Sequence, residues 1–422
     1  MLQEEALEHK SGRMRGKFWL AALIAGAGLY LMTTFFAPSE SETLSGGARH
    51  YFKHLYADTW NYLAVFVEPQ TGMPYDSSAK QPVTSLSNVG LYLASTAVAF
   101  RTELISRDEA KERIGKCLSS LEKVETWRGF PRPWFLVRSL RATHGDEFSY
   151  GSHLSLFLGG LIVAKSTFPE FTSEIDTMLH RMDFKSLYDA QTGWLHGGYN
   201  MKTQNFAIFQ SWGHWYYKYF ASETRLLSFY LIARRAAPPR HWKMLIRPLR
   251  REEGETFFVS GPEEGGLFTQ YAAALFLDER NFEIGKSEKN YARFQIKRAK
   301  KIKAPVWGWS SSEAPSGRYL AYGELKDEIV APYASILASI YFPEETLKNL
   351  QELEKLGARP AHQGFLDSVN WQTGEVAKHY LTPAQGMAFL SLANLLYDGV
   401  VWKTFAEDSV VRDGMALLGK RQ

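Results

Sequence analysis

Carboxylates set among tryptophans and glycines are the most chemically pointed feature of this 422-residue sequence. Asp146-Glu147-Phe148-Ser149-Tyr150 carries two of them, Trp307-Gly308-Trp309-Ser310-Ser311-Ser312-Glu313 carries a third, and Gly364-Phe365-Leu366-Asp367 a fourth. Trp127-Arg128-Gly129-Phe130 and Trp194-Leu195-His196-Gly197-Gly198 have the same texture without an acid. Glu223 stands apart, in Ser222-Glu223-Thr224-Arg225, where an apolar helical repeat (Leu226, Leu227, Phe229, Tyr230, Ala233) begins. Two carboxyl groups facing one bond, one protonated and one ionised, can cleave a glycoside, and aromatic faces can hold the sugar. Each acid also has a plainer description. Glu223, after a Ser222 N-cap, is a first-turn carboxylate favoured by the helix dipole. Glu313 is a solvated loop acid, Asp146 and Glu147 are dipole partners, Asp367 is a turn residue, and Asp327 and Glu328 are caps.

Other chemistries find little footing. The formal charge of +4 is modest, and no Lys/Arg cluster is interleaved with a nucleic-acid recognition motif. Lys297-Arg298-Ala299-Lys300-Lys301-Ile302-Lys303 reads as a solvated helix face. Cys117 is the single cysteine, which excludes an intramolecular disulfide and a thiolate zinc site. No phosphate loop, dinucleotide fingerprint or nucleophile elbow occurs, so no metal and no cofactor is expected. His144, His153, His196, His214, His241 and His379 are scattered, and none is assigned to catalysis.

The elements that must position the acids read as helices. Spacing predicts them over residues 49–67, 84–100, from the Ser106–Glu109 capping box, 153–167, 172–182, from Ser222, 265–277, 286–301, 327–340, 343–356, 382–397 and 408–418. Nearly apolar helices alternate with amphipathic ones, and strand-like runs are short. The arrangement that explains this is an all-α (α/α)6 toroid, with buried inner helices inside half-exposed outer ones; a helical solenoid is the rival. Gln-Thr-Gly recurs at 70–72, 191–193 and 372–374, separations near two and three multiples of about 60 residues, which suggests an internal period. Ahead of this lies Phe18–Ala37, about 20 uncharged apolar residues, enough to cross a ~30 Å hydrocarbon layer. Lys10, Arg13, Arg15 and Lys17 before it place residues 1–17 in the cytoplasm. Residues 18–37 are then an uncleaved transmembrane anchor, 38–47 a linker, and 48–422 the domain on the periplasmic or extracytoplasmic side. A cleaved signal peptide is the competing description.

Several stretches resemble the glucoamylase-like domain of bacterial β-1,2-glucan enzymes, namely the endo-β-1,2-glucanases of glycoside hydrolase family 144 and the processing domain of cyclic β-1,2-glucan synthases. Ser222-Glu223-Thr224-Arg225-Leu226 is similar to that family's Ser-Glu-Ala-Arg-Leu, and Thr84-Ser85-Leu86-Ser87-Asn88-Val89-Gly90-Leu91-Tyr92-Leu93 to its Thr-Ser-Pro-Thr-Asn-Ile-Gly-Leu-Tyr-Leu. Trp307 to Glu313 resembles Trp-Gly-Ile-Ser-Glu-Ser with the acid displaced. Val330-Ala331-Pro332-Tyr333-Ala334 and Gln385-Gly386-Met387 also match, in order, from about residue 60 onward. Tyr150 stands where the family often has Asp, and Ala384 replaces a His.

The resemblance implies a membrane-anchored glycoside hydrolase or transglycosylase acting on a β-glucan. Glu223 and Glu313 are the expected catalytic carboxyls. Asp146, Glu147, Tyr150 and Asp367 are the expected polar sugar contacts, and Trp127, Trp194, Trp307 and Trp309 the sugar platforms. Tyr150 and Ala384 leave open a non-catalytic protein that binds polysaccharide and assists exopolysaccharide assembly or export.

Overall fold

The fold is taken from a computed structural model, which describes residues 44–143, 145–206, 215–261, 266–320 and 328–419. The chain divides into two units, Met1–Ser41 and Glu42–Gln422, and every described residue lies in the second. Phe18–Ala37 lies outside the described residues, and among those residues no helix is long and apolar enough to cross a membrane.

Two kinds of helix alternate along the chain. The first kind comprises α1 (Gly46–Val65), α3 (Arg107–Leu121), α5 (Thr172–Arg181), α7 (Arg240–Met244), α9 (Glu283–Ile302) and α11 (Pro343–Lys355). Most of these bury one stripe: α3 turns Ala110, Ile114, Cys117, Leu118 and Leu121 inward, and Ser106 caps it by accepting from the Glu109 amide at 3.2 Å. The second kind comprises α2 (Leu86–Arg101), α4 (Gly151–Thr167), α6 (Arg225–Ala233), α8 (Gly266–Tyr271), α10 (Pro332–Leu337) and α12 (Thr382–Leu396). Their residues are buried on nearly every side, as helices apolar all round must be. They pack against one another in the order α12–α2–α4–α6 and α8–α10–α12. α2 and α4 meet almost backbone to backbone. A Cβ on Gly90 would lie 2.3 Å from the Leu156 carbonyl oxygen, and one on Gly160 2.0 Å from that of Gly90. Two further helices follow, α13 (Val400–Ala406) and α14 (Ser409–Gly419), and α14 lays Gly414 against Ala233 and Phe229 of α6.

Two sequence expectations are corrected here, and two short helices are added. The helix expected from Ser222 begins at Arg225, because the Ser222 hydroxyl accepts the Thr224 amide at 3.2 Å and closes a turn rather than a helix end. The helix expected over 327–340 is confined within the described residues to α10 and a 3-10 turn at Ala338–Ile340. Pro332 forces the preceding Ala331 into an extended conformation, φ −108 and ψ 117, so no helix can run through it. The five-residue α7 and seven-residue α13 were not anticipated, being too short to show a periodicity.

Short antiparallel ladders stitch the loops that enter the inner helices. Val83–Ser85 pairs with Trp134–Leu136, and Glu147–Phe148 with Tyr199–Asn200. Gly266 bridges to Ser310, Ile329–Val330 pairs with Val369–Asn370, and Ser77 bridges to Leu381. Loops entering neighbouring inner helices are therefore joined to one another, so those helices start at a common end of the ring.

The Gln-Thr-Gly repeat is one turn used three times. Gly72, Gly193 and Gly374 adopt φ of 72°, 78° and 75°, and each donates its amide to the carbonyl four residues back, on Glu68, Asp189 and Asn370. The side chains of those three residues each accept the amide of the following Gln. The turns fall between α1 and α2, α5 and α6, and α11 and α12. These are the outer-to-inner connections of the first, third and sixth pairs, which accounts for separations of two and three units.

Candidate active site

Glu313 is the centre of the densest group of acids at that end. It sits in the short strand Ser312–Glu313, paired with Tyr319–Leu320. Its amide donates to Asp367 Oδ2 at 2.5 Å, its carbonyl accepts from the Ser368 hydroxyl, and Oε1 lies 2.9 Å from His379 Nδ1. The Asp367 amide donates to the His379 carbonyl at 3.1 Å, closing a compact loop between the entries to α10 and α12. Asp76, on the connection into α2, joins from the third side: it accepts from Asn88 Nδ2 at 2.7 Å, and its backbone carbonyl accepts the Thr382 amide.

The Asp367 carboxyl is pushed up to about 8, chiefly by burial, with the charges of Glu313 and Asp76 adding to the rise and the hydrogen bond from the Glu313 amide opposing it. Asp76 is raised by burial and by Glu313, while Asn88 pulls it down. Burial first, and neighbouring carboxylates second, favour the protonated form of Asp367. Its Oδ1 is buried with no hydrogen-bond partner. Tyr319 stands opposite Glu313 in the ladder. It is 58% exposed, yet its phenol is pushed up by surrounding protein and by the charges of Asp367 and Asp76.

Glu223 enters the same end of the ring from the connection into α6. It is half-buried, and burial holds its carboxyl above the usual range, opposed by its own backbone amide and by Arg225. A proton donor at the start of a helix needs apolar burial, a neighbouring carboxylate such as Glu313, or both, to outweigh the helix dipole. Here burial is the cause that raises it, and Glu313 bonds to Asp367 and His379 instead. Arg225 fixes the turn that carries Glu223. Fully buried, it is gripped by Glu279 at 2.7 Å and 2.8 Å and by Glu288 at 2.9 Å. It also donates to the carbonyls of Phe220, Ser222 and Gln270, which ties the residues before Glu223 to the segment around α8.

The remaining nominated residues divide. Asp146 pairs with Lys202 at 3.2 Å, and Glu147 accepts from Asn200 Nδ2 at 2.5 Å, so both serve the ladder that holds this loop. Tyr150 is 5% exposed and packs with Trp127, Phe130 and Phe148; it is a core aromatic, not a surface sugar contact. Trp127, Trp307 and Trp309, at 7%, 5% and 0% exposure, are core residues as well, with no ring face free for a sugar. Trp194 is half-buried, donates to the Met244 carbonyl at 3.2 Å and carries Lys218 over its ring. Trp127→Ala should therefore cost about 3–5 kcal/mol of stability, the range for a large buried aromatic. Urea unfolding would read this, while the sugar affinity of the folded fraction stays unchanged.

Sequence reasoning missed Asp76, His379 and Tyr319. Asp76 ends the turn segment Glu68–Asp76, and its position just ahead of an inner helix was a usable signal. His379 was set aside as a lone histidine. Among the described residues no three His, Cys, Asp or Glu side chains are grouped to hold a metal ion.

Comparison with known proteins follows the same lines. The Glycoamylase family model matches residues 221–409, and a family of proteins of unknown function, DUF3131, matches 56–244. The cyclic β-(1,2)-glucan synthase of Rhizobium meliloti is 29% identical over 231 residues; the match takes in 49% of this chain and only 8% of that protein's length. An endo-β-1,2-glucanase from Chitinophaga pinensis, solved with sophorotriose and glucose, superposes with a TM-score of 0.73 at 19% identity, covering 88% of this chain and 98% of that one. A β-1,2-glucanase from Parabacteroides distasonis gives 0.76 at 14% identity, over 88% of this chain and 60% of that one. An endo-β-1,2-glucanase from Talaromyces funiculosus, solved with sophorose, gives 0.66 at 12%, over 90% and 92%. At these identities the structural likeness speaks for the fold.

Proposed function

We propose, from the premise that this chain belongs to the glucoamylase-like family, that it is a glycoside hydrolase or transglycosylase acting on β-glucan, with β-1,2-linked chains as substrate. The observation that carries the reading is the set of carboxyls with raised pKa values on the connections into α2, α6 and α12. Glu223, lifted by burial, is the proton donor to the leaving oxygen. Glu313 is the carboxylate on the other side of the bond, acting as base or nucleophile, with His379 hydrogen-bonded to it. Asp367, protonated, orients Glu313 through its amide, and Asp76 adds the negative charge that keeps that proton in place. β-1,2-Glucan is favoured by the chemistry named for the relatives above.

The same reading makes residues 18–37 a membrane anchor, 38–47 a linker and 48–422 a domain on the extracytoplasmic side. Its support is the apolar run and the basic residues before it. A second reading, a barrel that holds polysaccharide for assembly or export without cleaving it, is favoured by Tyr150 and Ala384, both buried. Incubation of the purified protein with linear β-1,2-glucan separates the two. New reducing ends or altered chain lengths support catalysis, and binding with unchanged chains supports the second.

A further inference from the structure

We infer that Trp215 forms an outer sugar subsite at the rim of the mouth, stacking a β-glucose unit of a chain whose scissile bond lies at the carboxyls. This rests on the proposed function above. The register Leu195↔Tyr217 and His196↔Tyr216 continues to Gly197 and Trp215, whose carbonyl accepts the Gly197 amide at 2.7 Å. Residues directly opposite share a face of the pleat, so Leu195, Tyr217, Gly197 and Trp215 lie on one side and His196 and Tyr216 on the other. The first side meets the mouth. Tyr217 covers Gly151, the first residue of inner helix α4, where a Cβ would fall 2.0 Å from its hydroxyl oxygen, and that hydroxyl is 2.6 Å from the Ser149 hydroxyl.

Trp215 is seated one step further out. Its indole lies over Gly197, where a Cβ would be 2.3 Å from ring Cε3, and its centroid is 4.6 Å from that of Tyr217 at 55°. At 36% it is the most exposed tryptophan among the described residues. The three buried tryptophans first nominated cannot offer a ring, and Trp194 already carries Lys218. A glycine seat on one side and a tyrosine beside it fix the indole before ligand arrives, so little side-chain freedom is lost on binding. β-Glucose carries its hydroxyls equatorially, which leaves apolar C–H faces of the size of an indole ring. The Tyr217 and Ser149 hydroxyls stand beside this platform. Trp215 and Glu223 share the connection into α6, Trp215 eight residues before Glu223.

The test uses full-length protein carrying Glu223→Gln to stop turnover, with linear β-1,2-glucan oligosaccharides of increasing length as ligands. Calorimetry on this parent should show affinity rising with length. Adding Trp215→Ala should weaken the longest chains about tenfold, as loss of one stacking contact would, and leave the shortest unaffected. Trp215→Phe should recover part of the loss. Gly197→Ala, which drives the indole off its seat, should reproduce it with circular dichroism unchanged. If the parent binds glucan and Trp215→Ala binds every length equally well, the subsite is wrong and the functional reading stands. If the parent binds no glucan of any length, the functional reading fails and the subsite with it.

Discussion

Glu223→Gln should give a folded protein that still binds glucan and whose turnover is lower by three orders of magnitude or more, as loss of a general acid in concert with a departing group implies. The amide fills the same volume and, like the protonated acid, has one accepting oxygen and a donor, but its N–H protons are not acidic. Glu223 sits in a turn clamped by Arg225, so the substitution leaves its surroundings in place. The pH profile carries a second part of the prediction. Burial raises the Glu223 carboxyl, so the protonated form persists above the ordinary carboxylate range. Wild-type activity should fall on the alkaline side as pH passes through that raised value. A Gln variant with normal turnover would remove Glu223 from the mechanism.

Asp367→Asn should change how stability depends on pH. In the folded protein the group titrates at about 8; in the unfolded chain an aspartate titrates near ~3.9. The folded state therefore holds one more proton between these values. The stabilisation linked to that proton is complete below about pH 4 and is lost as pH rises through about 8, at about 1.4 kcal/mol per pH unit from this one group. Asparagine mimics the protonated acid, keeps an acceptor for the Glu313 amide and has no charge to bury. The variant should match wild type near pH 4 and exceed it clearly at pH 8–9. Subtracting the two unfolding curves cancels other raised groups, such as Asp76, to first order. Parallel curves across the whole range would show that Asp367 is ionised at neutral pH. Activity should fall less than in Glu223→Gln, since Asp367 acts through Glu313.

What the sequence could reveal followed from what local pattern encodes. An inner helix such as α4, with Leu154 to Ala164 all buried, must be apolar on every side, and that is visible without a structure. The half-buried stripe of α3 and its Ser106 cap were legible for the same reason. The Gln-Thr-Gly turn was legible as a repeat, because a left-handed glycine after an amide-accepting side chain is a local requirement. Short α7 and α13 left no periodic trace, and Pro332 overrode an otherwise helical run. At the site, Glu313 and Asp367 were nominated separately, and only the fold puts one on the other's backbone. Residue type does not encode which way a loop tryptophan turns. Trp127, Trp307 and Trp309 point into the core, while Trp215, one residue from the paired strand, is the most exposed tryptophan among the described residues. Asp76 was missed because its partners Asn88 and Thr382 come from opposite ends of the domain.

The direct test of the catalytic arrangement is a crystal structure of the Glu223→Gln protein with a linear β-1,2-glucan oligosaccharide. The arrangement predicts a chain lying across the mouth with one glycosidic oxygen within hydrogen-bonding reach of residue 223. The anomeric carbon of that bond should face Glu313, directly or through a water, with the two carboxyl positions no more than ~10 Å apart. A chain bound away from both residues, or carboxyls well beyond that separation with the sugar between them, would contradict it.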